Sequence, residues 1–373
     1  MTRKRKGVLL QWIAALTPAL LAAALYFLAG SRDFSNWYAR HIFPLWTESV
    51  GRFFGIFPFS VMEIVLCLLI LICLIFFVRD MTRIVRKRVA KGAISRFFRF
   101  LLIAAGSFLL IFMLGAGVNY NRSPFSEDNH LRSGGGTKEE LYHLCLILAE
   151  GTNELADQVR RDENQIMQLE PGFEQAAVEA MRSLSKQYDT LKGYYSRPKP
   201  VLFSEFLSHQ NVTGIHSPFT AEAQYNRVIV PYNIPHTICH ELSHLKGYMR
   251  EDEANFVAYL ACLASDRKDF NYSAYLLGYI YATNALSGAD RDAFMKVRGM
   301  MKDGVNKDLE ENNRYWARYQ TQLAKIHESV NNAYLKINRQ EDGVKSYGRV
   351  VDLLLAYYHE DIVKRMAGSE AGK

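Results

Sequence analysis

The chain is 373 residues long, 49% hydrophobic, with a net charge of +7 at neutral pH. That charge is uneven: residues 1–119 hold 15 Lys/Arg against 4 Asp/Glu, whereas residues 120–373 hold 30 against 34. A slightly acidic second part lacks the basic footprint that phosphate backbones require, so nucleic acid is not an expected partner.

The first part opens on Arg3-Lys4-Arg5-Lys6 and then runs through three apolar stretches, residues 8–29, 58–78 and 100–118. Each is close to the ~20 residues a helix needs to cross a ~30 Å hydrocarbon layer. Glu63 is the one charged residue inside them. It lies near its helix start, where a carboxylate reaches the interface and meets the positive end of the dipole. Between the second and third stretches stand Arg79, Arg83, Arg86, Lys87, Arg88, Lys91, Arg96 and Arg99. Residues 30–57 hold only Arg32, Arg40 and Arg52 as cations, beside Trp37, Tyr38 and Trp46. Basic loops stay on the cytoplasmic side and aromatic residues favour the interface. The expected reading is a multi-pass protein of the cell membrane, with the lipid bilayer as partner, a cytoplasmic N-terminus and everything beyond Asn119 extracytoplasmic. A cleaved signal peptide is the rival for the first stretch; the basic loop would still fix the same side.

Residues 120–136 read as a linker containing Ser133-Gly134-Gly135-Gly136, and Thr137 with Glu140 forms a capping-box signal. Helical periodicity follows over 138–162 and 173–191 until Arg197-Pro198-Lys199-Pro200 breaks it. Residues 201–203, 213–219 and 228–230 are short strand candidates, and from Pro235 onward the pattern is almost wholly helical. The expected fold class is therefore a membrane-anchored α part over 1–119 and a mainly helical α+β domain over 137–373. A small sheet should sit beside the helix that begins at Pro235. Five cysteines form no disulfide framework or CxxC site, and Cys239 and Cys262 read as core thiols.

The helix from Pro235 carries His240-Glu241-Leu242-Ser243-His244. Residues four apart share a helical face, so two neutral imidazoles can converge on one Zn²⁺ at ~2.0 to 2.1 Å, with Glu241 set about a quarter-turn aside. Zinc acidifies a bound water, and the adjacent carboxylate can take its proton and return it to a leaving amine. Ile238, Leu242 and Leu245 supply the apolar side of the same helix. His236 extends the histidine row but would lie ~12 Å from His244 along the axis. His216 falls in the strand-like stretch and reads as a packed or exposed histidine.

A catalytic zinc takes three protein ligands and keeps a fourth position open. Glu251-Asp252-Glu253 follows the turn Lys246-Gly247-Tyr248, and Glu251 with Asn255 resembles the Glu-x-x-x-Asp of thermolysin-like gluzincins. That resemblance makes Glu251 the third ligand and Asn255 the partner of the first histidine, with an amide where the pattern has a carboxylate. Glu253 is the rival ligand. The spans, the motif helix, Glu251–Phe256 and Ser346-Tyr347-Gly348-Arg349-Val350-Val351 together resemble a bacterial family of three-span membrane proteins known as a domain of unknown function with an HExxH core. What the resemblance implies is a zincin fold of the gluzincin type. Stabilising the reacting oxygen takes a Tyr, His or Arg from elsewhere, for which Tyr347 and Arg349 are the choices.

The expected function is that of a zinc metallopeptidase acting on peptide or protein substrates at the outer membrane face: His240, His244 and Glu251 bind Zn²⁺ and Glu241 is the general base. The alternative is a non-catalytic, membrane-tethered binding or scaffold protein with a zinc site. An intramembrane protease is not expected, because the motif lies more than a hundred residues past the last span in polar sequence.

Overall fold

Uninterrupted apolar sequence can pair its backbone groups in lipid only by closing hydrogen bonds within a helix, and the three apolar stretches do so. The computed structural model describes residues 3–85, 93–131, 135–338 and 349–371. Arg86, Lys87, Arg88 and Lys91 of the basic loop, Ser133-Gly134 of the connector, and Tyr347 lie outside these residues. Three helices are long and apolar enough to cross a membrane: Leu9–Leu28, Val61–Arg79 and Ser95–Gly115.

The chain divides into two compact units, residues 1–122 with 217–221, and residues 123–216 with 222–373. In the first unit the apolar helices are α1 (Arg3–Leu28), α4 (Val61–Val85) and α5 (Ala93–Gly115), and the segment expected as a loop forms α2 (Arg32–His41) and α3 (Phe43–Gly55). Ser31 caps α2 by accepting from the Phe34 amide, and Pro44 occupies the first turn of α3. Along α1 the small residues Ala15 and Ala22 are buried, and α1 packs along α5. The Tyr38 hydroxyl donates to the Leu114 carbonyl at the end of α5, tying α2 to that helix.

The second unit begins within the segment expected as a linker. Phe125, in the one-turn α6 (Phe125–Asp128), is fully buried against Tyr188, Tyr248 and Phe256, with ring centroids 5.0, 5.3 and 6.3 Å away. Replacing Phe125 by alanine should destabilise this unit by about 3–5 kcal/mol, the usual cost of emptying a buried aromatic site. The check is the thermal midpoint of the detergent-solubilised chain, and a wild-type midpoint would show that the segment is not part of the core. Thr137 and Glu140 form the anticipated capping box at the start of α7 (Lys138–Ala156), and α8 (Phe173–Leu184) follows.

The sheet has the order β1-β3-β2, built from β1 (Lys199–Pro200), β2 (Gly214–Ser217) and β3 (Glu222–Tyr225), with β1 parallel to β3 and α9 (Ser204–Ser208) between β1 and β2. Of the three strand candidates only the middle one contains a strand. Residues 201–203 lead into α9. After β3, the Asn226 side chain accepts from the Val228 amide at 3.2 Å, turning residues 228–230 out of the sheet while Ile229 and Val230 stay buried. The polar strand Glu222–Tyr225 is buried along its whole length, and the Lys199 ammonium pairs with the Glu222 carboxylate at 2.5 Å in the interior.

From Asn233 the chain is helical, through α10 (Asn233–His244), α11 (Glu251–Leu263), α12 (Lys268–Ala289), α13 (Arg291–Gly299), α14 (Asp303–Ala317), α15 (Gln322–Ile337), α16 (Val350–Tyr357) and α17 (His359–Ala371). Helix α12 packs along α7 and against α10 and α11, while β3 lies against α10. The sheet therefore flanks the motif helix, and α11 packs against the same helix.

Candidate metal centre

Helix α10 ends at His244, and the chain turns back through Gly247, whose φ of 80° lies in the left-handed region that only glycine adopts at little cost. This turn brings the Tyr248 carbonyl under His244, whose Nδ1–H donates to it at 2.7 Å. On the other imidazole, His240 Nδ1–H donates to Asn255 Oδ1 at 2.8 Å, one turn along α11 from Glu251. A carbonyl only accepts, so each ring keeps its proton on Nδ1 and turns its Nε2 towards the other.

These two Nε2 atoms stand 3.1 Å apart, and Glu251 Oε2 is 3.2 Å from His240 Nε2. The ligating atoms of His240, His244 and Glu251 all lie within 4.8 Å of one another. Three lone-pair donors crowded together at this spacing repel unless a positive charge sits between them. A divalent cation with N and O ligands fits that requirement, and a proton can meet it in part. Burial disfavours charge on His240, but the hydrogen bond and the charge of Glu251 outweigh it and raise its pKa to about 9. His244, buried and facing His240, is held down at about 4.

Glu241 projects from α10 beside this cluster and is itself buried. Burial, reinforced by the nearby Glu251 charge and opposed by His240, pushes its carboxyl up to about 8. The edge strand β2 runs directly over it. The His216 amide donates to the Glu241 carboxylate, and a Cβ on Gly214 would fall 2.6 Å from Glu241 Oε1 and 2.8 Å from Thr237 Cγ2. Only a residue without a side chain lets the strand approach so closely. Gly214→Ala should therefore cost about 1–3 kcal/mol of stability through overpacking and displace Glu241. The unfolding midpoint checks this; a variant with wild-type stability would mean the strand has room to spare.

Of the residues singled out in the sequence, His240, His244, Glu241 and Glu251 come together here. The rival Glu253 is engaged elsewhere: its carboxylate accepts from the Ser126 amide at 2.9 Å and the Ser126 hydroxyl at 2.8 Å, both buried. Asp252 lies between Arg250 and Arg349 at 3.2 and 3.1 Å, which places Arg349 at the start of α11, paired with the neighbour of Glu251. His236 points to the Asn255 carbonyl at 3.2 Å and, through burial, has its pKa lowered to about 3, so it serves packing rather than ligation. The Cys239 and Cys262 thiols face each other at 3.8 Å in the α10–α11 core. Two residues near the site were not chosen for it in the sequence, where Tyr281 read as helix packing. Tyr281 of α12 packs beside His236 with ring centroids 6.1 Å apart, its hydroxyl held protonated by burial and by the Glu251 charge. Gly214 is recognisable only from the closeness of β2 to Glu241.

The model of a family described as "Protein of unknown function (DUF3810)" matches residues 38–355. The chain belongs to this family. The match runs from Tyr38 in α2 to Leu355 in α16, so it takes in part of each unit and every residue of the candidate metal centre, while α1 and α17 lie outside it. No curated protein and no solved structure matches the chain.

Proposed function

We propose that this DUF3810 protein is a zinc-dependent peptidase of the gluzincin type, anchored in the membrane by its three apolar helices and acting on peptide or protein substrates at the extracytoplasmic face. The convergence of His240, His244 and Glu251 within 4.8 Å, with Glu241 beside them, carries this reading. Both imidazoles are oriented through Nδ1, so the Nε2 atoms and the Glu251 carboxylate form the His₂Glu set that suits a catalytic rather than a closed zinc site. Among the described residues no fourth His, Cys, Asp or Glu joins the group, which weighs against a purely structural ion.

A zinc ion held there would supply Lewis acidity, polarising the scissile carbonyl and making the attacking water acidic near neutral pH. Glu241 is placed to take a proton from that water and hand it to the departing amine. The His216 amide fixes the carboxylate, and β2, at the edge of the sheet, offers backbone groups to an extended substrate chain. The excess of Lys/Arg before the first span and between the second and third supports a cytoplasmic location for those segments and an outward-facing second unit.

The test is to load the purified full chain with zinc, incubate it with a mixed peptide library and identify new termini by mass spectrometry, with Glu241→Gln as control. Cleavage by the wild type alone supports the proposal. A zinc-loaded protein that cleaves no peptide would leave a membrane-tethered binding protein as the better account.

A further inference from the structure

The strand that walls the metal centre brings one more imidazole to it. Alternate residues of a strand share a face, so Gly214 and His216 of β2 lie on one side and Ile215, 39% exposed, on the other. On the Gly214 side the strand meets Glu241 closely enough to forbid a Cβ, and the His216 amide donates to the same carboxylate. The His216 ring lies 5.8 Å, centroid to centroid, from that of His244, tilted by 42°. An imidazole therefore stands next to a metal ligand and next to the general base, yet its nitrogens are not among the atoms that converge within 4.8 Å.

Amide hydrolysis by the proposed route joins a water oxygen to the carbonyl carbon and breaks the carbon–nitrogen bond. The proton that Glu241 removes from water departs with the amine, giving a carboxylic acid and an amine. Between these events the former carbonyl oxygen carries negative charge and needs a fixed donor. Such a donor must lie near the ligands without being one of them. The sequence offered Tyr347 and Arg349 for this role. Arg349 is held by Asp252 at 3.1 Å, and Tyr347 lies outside the described residues. Tyr281 packs by His236, one helical turn behind His240. His216 alone of these is brought by the same strand that positions Glu241.

We propose that His216 is a catalytic residue, donating a hydrogen bond from its ring N–H to the substrate oxygen that becomes negatively charged. A neutral imidazole suffices, since one ring nitrogen always carries a proton, and His216 neither gains nor loses one in the reaction. This inference rests on the peptidase reading and names a further residue of that site.

The experiment uses the zinc-loaded full chain and acetohydroxamate, a small probe that binds catalytic zinc and presents a charged oxygen to neighbouring donors. Its affinity is measured by calorimetry for the wild type, His216→Ala and His216→Gln. Loss of one hydrogen bond to a charged group should weaken binding by roughly 10- to 100-fold in His216→Ala. Zinc should stay at one per chain, and glutamine, which keeps a donor, should recover much of the loss. With a peptide substrate in hand, His216→Ala should lower kcat by ~10²–10³ with little change in KM. Equal acetohydroxamate affinity in wild type and His216→Ala, or zinc lost with His216, overturns the proposal while leaving the metal centre intact as a reading. A wild type that binds no zinc overturns the peptidase reading itself, and the two failures are told apart by the metal content.

Discussion

Alanine at His244 is expected to empty the metal centre. The wild-type chain should carry one zinc per molecule and His244→Ala almost none, as read by elemental mass spectrometry of the full-length protein. His244 supplies one of three ligating atoms and is buried with its Nδ1 proton committed to Tyr248. Its removal leaves His240 and Glu251 as a two-ligand remnant, and water would have to fill the remaining positions. The loss in affinity should exceed the ~10–100-fold that follows removal of a merely supporting partner. Asn255→Ala gives that smaller scale within the same protein, because the amide only orients His240. Full zinc retention by His244→Ala would place the metal on other residues and remove the basis for the site.

Glu241→Gln should leave zinc in place and lower cleavage by ~10²–10⁴, the range attributed to a positioned general base. The substitution keeps the shape of the side chain, but an amide cannot accept a proton from water or deliver one to an amine. The carboxylate is buried beside the cluster and held by the His216 amide, so its role is in the chemical step. The loss should therefore fall on kcat, with KM nearly unchanged, in steady-state measurements on any peptide the wild type cleaves. Equal rates for the two proteins would remove Glu241 from the chemistry.

The parts of this molecule that depend on local periodicity were legible in the sequence. The apolar stretches at 8–29, 58–78 and 100–118 lie within a few residues of the helices Leu9–Leu28, Val61–Arg79 and Ser95–Gly115, because twenty consecutive apolar residues allow few other structures. The i, i+4 spacing of His240 and His244 placed both imidazoles on one helical face, and the four-residue step from Glu251 to Asn255 matched a ligand to its neighbour's support. What depended on distant partners was not legible. Glu251 and Glu253 look alike in sequence, and the choice between them turns on Ser126, more than a hundred residues earlier. Strand β3 is buried on both faces, its Glu222 paired with Lys199 on a neighbouring strand, so its polar residues mark no solvent face. The segment 30–57 looked like a plain loop because its helices are short, the first capped by Ser31 and the second opened by Pro44 in its first turn. The bearing of His216 on the site follows only from the path of β2 over Glu241.

The neutral supports behind the two imidazoles, Asn255 Oδ1 and the Tyr248 carbonyl, bear on how the protein depends on its surroundings. A carboxylate behind a ligating ring would make that ring a stronger base and slow the departure of the ion. With amide oxygens in both places, Glu251 brings the only formal negative charge to the ligand set. If zinc sits there as proposed, such a centre would hold its ion less tenaciously, and the fraction of molecules ready to work would rise and fall with the zinc available at the membrane surface. Abundance of the ion, as much as abundance of the protein, would then set how much activity a cell has.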